Sequence, residues 1–115
     1  MAAAGINPVD TYIRSGNYIP SRLPSLPYTP GGDVCGEVVE IGDEVTEFVV
    51  GDKVFSILRT SSGGYAEYST VPEVFTARLP EGLAVTDGAA LGVPYFTAYR
   101  NDYVDYTFML QSDFE

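Results

Sequence analysis

The side chains best suited to meeting a ligand in this chain are phenols. Nine tyrosines stand against no tryptophan and no histidine. A phenol offers a flat face to an aromatic ligand and a hydroxyl that can fix its orientation. Tyr12 and Tyr18 fall around the end of one candidate helix, and Tyr95 and Tyr99 flank Thr97. The pattern by itself favours packing over binding, because most tyrosines are half-buried packing residues.

The absences are more specific. Without histidine the chain has neither the usual general base of a catalytic triad nor the commonest metal ligand. Cys35 is the single cysteine. It cannot form an intramolecular disulfide, which fits a reducing compartment, and it cannot build a metal site with no histidine to help it. It sits in an apolar β run without a basic neighbour in sequence, so an inert buried thiol is expected. A dinucleotide-binding turn needs glycines two positions apart between a strand and a helix, and no such pair occurs. Gly31 and Gly36 have the spacing of a phosphate-binding P-loop, but Glu37 stands where a lysine is required. No calcium-loop pattern is found.

Charge narrows the partners. Six basic and sixteen acidic residues give a formal net charge of −10, a field that repels a phosphate backbone and excludes nucleic acid. The acids are scattered, as on a soluble surface. The N-terminal Met1-Ala2-Ala3-Ala4-Gly5 lacks the basic start and apolar core of a signal peptide. No apolar run reaches membrane-spanning length, so a cytoplasmic chain without a membrane partner is expected.

At 115 residues there is room for one domain. Asn7-Pro8-Val9-Asp10 predicts a helix start, with Asn at the cap, Pro at the first position and an acid in the positive first turn; Gly16 is the stop. Prolines 20, 24 and 27 keep the next stretch extended. From Gly31 onward the chain reads as β. Strands are predicted over 33–41, 53–58, 65–71 and 75–79, punctuated by Gly42-Asp43, Gly51-Asp52 and Gly63-Gly64. Short strands with a turn about every ten residues predict a small barrel or sandwich. Thr86-Asp87 caps a helix through Leu91, and a second short helix is predicted over 94–100. Residues 101–115 carry neither Gly nor Pro and give no clear element.

Several strings in order carry a resemblance. Ala4 through Gly16, then Leu26-Pro27-Tyr28-Thr29-Pro30-Gly31-Gly32-Asp33, Gly36-Glu37-Val38 and Gly51-Asp52-Lys53-Val54 come first. Gly63-Gly64-Tyr65-Ala66-Glu67-Tyr68, Gly88-Ala89-Ala90 and Pro94 through Arg100 follow with sensible gaps. Together they resemble the catalytic domain of the zeta-crystallin-type, zinc-independent NADPH:quinone oxidoreductases of the medium-chain dehydrogenase/reductase superfamily. The resemblance implies a mainly β fold with short helices: a partly open GroES-like β-barrel, incomplete here, without a Rossmann domain. It divides the chain into a partial GroES-like domain, 1–100, and a non-matching tail, 101–115.

The implied chemistry is NADPH-dependent reduction of a quinone, in which the nicotinamide carries the electrons and the protein orients the partners. Asn7, Tyr12 and Tyr18 match positions lining the quinone and nicotinamide cleft, and Thr97 matches one beside the nicotinamide. In zinc-dependent relatives a cysteine stands where Asn7 falls, a histidine where Gly32 falls and a cysteine near Val93; none is a ligand here, so no metal is expected. The fragment alone is expected to be inactive and to bind NADPH weakly at most. The alternative implied reading is a non-catalytic isoform or interaction module that pairs with a full-length subunit or with itself.

Overall fold

A computed structural model of the chain describes residues 1–58 and 63–100. The sheet has four antiparallel strands in sequence order: β1 (Ala3–Gly5), β2 (Asp33–Glu37), β3 (Lys53–Ile57) and β4 (Thr76–Arg78). In the ladder Ala3 faces Cys35, Cys35 faces Phe55 and Phe55 faces Ala77. The helices are α1 (Pro8–Arg14), α2 (Val85–Ala90) and α3 (Phe96–Tyr99), with single 3₁₀ turns at Pro20–Arg22 and Glu73–Phe75. A mainly β fold with an open sheet and short helices is what the resemblance led us to expect; the turn spacing alone predicted a barrel or sandwich, and the sheet does not close. None of the helices described is long and apolar enough to cross a membrane.

α1 forms as its sequence dictates. Pro8 occupies the first position, where a missing N–H costs nothing, and Asp10 accepts a 2.9 Å bond from the Asn7 N–H. Gly16 ends it with φ 74°, a left-handed conformation that glycine adopts without a Cβ clash. α2 starts earlier than expected, at Val85, with Ala84 and not Thr86 as its cap. The physical reason is the reach of Asp87, which accepts from the Ala84 N–H at 3.1 Å and so acts from the third helical position.

The core lies between the sheet and α2. Val34, Cys35, Val54, Leu58 and Ala89 are its buried apolar residues. Gly88 lets α2 approach: a Cβ there would stand 2.6 Å from the Cys35 sulfur and 2.6 Å from Leu79 Cδ1. Cys35 itself is 0% exposed, and burial pushes its thiol pKa up, as expected for an inert thiol.

Three elements differ from the sequence expectation. The strand over 33–41 stops at Glu37, after which pairing persists only as Val38 N–H to Asp52 O and Gly51 N–H to Val38 O. The stretch 65–71 alternates well but forms no strand. Its first N–H, that of Tyr65, goes to Pro30 in a loop, as do the preceding Gly63 and Gly64 N–H groups to Thr29 and Gly31. The helix over 94–100 is preceded by a wide π-type turn, Leu91–Tyr95, kinked at Gly92. Pro94 has no N–H to continue a regular helix there. β1 was not anticipated, because Ala-rich segments have little strand propensity; pairing with β2 makes it a strand. Residues 101–115 lie outside the described residues.

Candidate functional site

The functional side chains meet where α1, the start of β2 and the Gly92 kink converge. Asp33, the first residue of β2, is 1% exposed. Its Oδ2 accepts from Asn7 Nδ2 and from the Val93 backbone N–H, each at 2.8 Å. Its Oδ1 is buried without a partner. One carboxylate oxygen thus ties the N-terminal cap of α1 to the turn that leads into α3. Burial pushes the Asp33 carboxyl up from its ordinary value of 3.8; the two donated bonds oppose the shift, and the neighbouring Asp10 charge adds to it.

Asp10 makes a second knot. Its Oδ2 accepts from the Asn7 N–H and, at 2.8 Å, from the Tyr65 hydroxyl. Tyr65 is held against Gly31, whose φ of 99° and lack of a Cβ let the ring pass: a Cβ there would lie 2.5 Å from Tyr65 Cδ1. Burial, followed by the bond to Asp10 and the two nearby carboxyls, pushes the Tyr65 phenol up to about 12. Because the folded value lies above the unfolded one, this bond stabilises the fold below pH 10 and is lost as pH rises from 10 to about 12. Denaturant titrations at stepped pH should show that alkaline loss in the native chain and a shallower one in Tyr65→Phe. Equal slopes would remove the Asp10 bond from the account.

Beside these knots a cleft of about 350 Å³ opens between α1 and the proline-rich stretch that follows it. Val9, Ile13, Pro24 and Leu58 supply apolar wall; Tyr18, Tyr28, Arg22 and Asp10 supply the polar groups. Gly31, Gly32 and Val93 close it on the side of the two knots. The Tyr28 hydroxyl is buried and has no hydrogen-bond partner. An apolar slot with a few convergent polar groups is the ordinary form of a small-molecule site.

The expected residues are placed as follows. Tyr18 is half-buried and lines the cleft. Asn7, 4% exposed, stands behind it with its amide on Asp33. Tyr12, 52% exposed, lies on α1 but is not among the residues lining the cleft. Thr97 is exposed on α3, beyond Val93. The structure therefore joins Asn7 and the approach to Thr97 through Asp33, and it puts Tyr18 in the neighbouring slot. Sequence reasoning passed over Asp33, Tyr28, Arg22 and the bond from Tyr65 to Asp10. Asp33 alone left a signal: a carboxylate opening an apolar strand directly after two glycines. No cluster of three metal-ligating side chains occurs among the described residues.

Comparison with known proteins adds a second line of evidence. Residues 1–81 match the alcohol dehydrogenase GroES-like domain. The quinone oxidoreductase of Homo sapiens is 55% identical over 98 residues, covering 85% of this chain and 29% of the human protein. The chloroplastic quinone-oxidoreductase homolog of Spinacia oleracea is 40% identical over 99 residues, covering 85% of this chain and 30% of that protein. Among solved structures, the quinone oxidoreductase of Pseudomonas syringae superposes with a TM-score of 0.82 at 35% identity, covering 90% of this chain and 31% of that one. The Escherichia coli quinone oxidoreductase complexed with NADPH superposes with a TM-score of 0.80 at 32% identity, again over 90% and 31%. The chain spans under a third of the length of each of these relatives.

Proposed function

Since this chain belongs to the alcohol dehydrogenase GroES-like domain family, we propose that it is the quinone-side part of an NADPH-dependent quinone oxidoreductase. The observation that carries the reading is the cleft lined by Tyr18 and Tyr28, within a segment 55% identical to a quinone oxidoreductase. NADPH, when bound, supplies the reducing equivalents. The residues here fit only its nicotinamide end. Thr97 offers an exposed hydroxyl on α3, but the 115 residues hold no glycine pair two apart to cradle a pyrophosphate.

The chain's own residues bind and orient. Apolar walls exclude water from a flat ring, and Tyr18 stacks on it or hydrogen-bonds to it. Asn7, buried behind the slot, gives an amide hydrogen to Asp33 and so steadies the wall that the quinone meets. Tyr12, on the exposed face of α1, meets the part of the ring that stands outside the slot. Asp33 keeps Asn7 and the Val93 turn in a fixed relation, so the two halves of the site stay in register. The reaction runs in a cytoplasmic setting without zinc.

The test is binding first and turnover second. Titrating the purified chain with an ortho-quinone should broaden or shift the ring signals of Tyr18 and Tyr28 in NMR spectra, and Tyr18→Phe should weaken binding several-fold. NADPH consumption by the folded chain should stay at background. Turnover above background would sink the reading of this chain as the quinone side alone. A second reading is favoured by the sheet: the outer edges of β1 and β4 have no ladder partner among the described residues. A folded chain that ignores quinones but co-elutes with a full-length relative would favour that interaction module.

A further inference from the structure

The cleft is lined by one acid, Asp10, and one base, Arg22, and among the described residues Arg22 makes no salt bridge. Four of its lining residues are ionisable: Asp10, Tyr18, Arg22 and Tyr28. The Asp10 Oδ2 already accepts two hydrogen bonds, from the Asn7 N–H and the Tyr65 hydroxyl. Arg22 closes the 3₁₀ turn Pro20–Arg22 and is exposed at the cleft wall. Among the described residues the only salt bridge is Arg78 with Asp52, on another part of the molecule. The Tyr28 hydroxyl is closed off from solvent, so the side chain meets a ligand through its ring and not through its O–H.

We propose that the cleft selects a flat quinone carrying an anionic substituent, whose anionic group pairs with Arg22 while its rings lie against Tyr18 and Tyr28. The proposal rests on the reading of this cleft as the quinone side and adds the charge class of the acceptor. A guanidinium presents parallel N–H donors that suit sulfonate or carboxylate oxygens, and a charge-assisted bond is stronger than a neutral one. The global charge of −10 works against any anion, and so does Asp10 within the same cleft. Selection therefore has to come from the local contact, and it should weaken with added salt as a partly exposed pair does.

The experiment is calorimetric titration of the whole chain with two stable three-ring probes, anthraquinone-2-sulfonate and the neutral 2-(hydroxymethyl)anthraquinone. The sulfonate should bind about tenfold more tightly, a difference of about 1.4 kcal/mol. Arg22→Gln should bring the two probes to the same affinity. Tyr28→Leu, which removes the ring, should weaken both several-fold and keep their ratio. Equal affinity of the two probes for the native chain overturns the anionic preference and leaves the quinone cleft standing. A preference that survives Arg22→Gln overturns the assignment of Arg22. If a chain shown to be folded binds neither probe, the cleft reading falls and this inference falls with it.

Discussion

Gly92→Ala should lower the melting temperature of the chain by about 10 °C or more. A Cβ at Gly92 would stand 2.2 Å from both Cγ and Oδ1 of Asp33 and 2.6 Å from its Oδ2. Asp33 cannot give way easily. It is almost fully buried, and Oδ2 is held from two directions by Asn7 and Val93. Overpacking of this kind costs about 3 kcal/mol, and here it also breaks the hydrogen bonds that set the kink. A small domain has only roughly 5–15 kcal/mol in total, so the loss is a large share. Thermal unfolding followed by circular dichroism would read it. A Gly92→Ala chain melting within a few degrees of the native one would show that the kink and Asp33 are not locked together.

Asp33→Ala should cost about 3 kcal/mol for a different reason, since it strands the buried Asn7 amide and the Val93 N–H without an acceptor. Asp33→Asn separates charge from bonding, because its side-chain oxygen can still accept from both donors. The pH profile is the sharper readout. The folded Asp33 pKa lies above its unfolded value near 3.8, so the folded state binds its proton more tightly. Its contribution is complete below pH 3.8 and is lost as pH rises through the raised folded value. The native chain should therefore lose stability as pH rises above 3.8 through the raised folded value, and Asp33→Asn should flatten that slope. Asp52 cannot produce the same signature. Its pKa is lowered, chiefly by the Val49 N–H bond and also by Arg78, so its contribution is present above 3.8 and fails on acidification. Identical slopes in the native chain and Asp33→Asn would mean that Asp33 does not titrate in this window.

What was legible in the sequence was what neighbours in sequence decide. The start and stop of α1 follow from Asn7, Pro8, Asp10 and Gly16, all within one helix. β3 follows from an apolar run between turn glycines. The stretch 65–71 had the right alternation, but a strand also needs a partner strand, and its leading residue Tyr65 is tied instead to the Pro30 loop. The site was legible only where resemblance pointed. Asn7 meets the Val93 turn through Asp33, twenty-six residues from Asn7, and Tyr65 reaches Asp10 across fifty-five. Such contacts leave no periodicity for a local reading to find. Arg22 and Tyr28 belong to an irregular proline-rich stretch, where no repeating pattern says which way a side chain turns.

The sealed position of Cys35 has a practical consequence. The only thiol of the molecule sits in the middle strand pair with α2 pressed on its sulfur through Gly88. A thiol-alkylating reagent can reach it only when α2 lifts from the sheet or the sheet itself parts. The chain thus carries a built-in clock for its own opening. Alkylation rates, followed by mass spectrometry with and without a quinone in the cleft, would show whether a ligand bound beside Asp33 slows the breathing of the core on the other side of it.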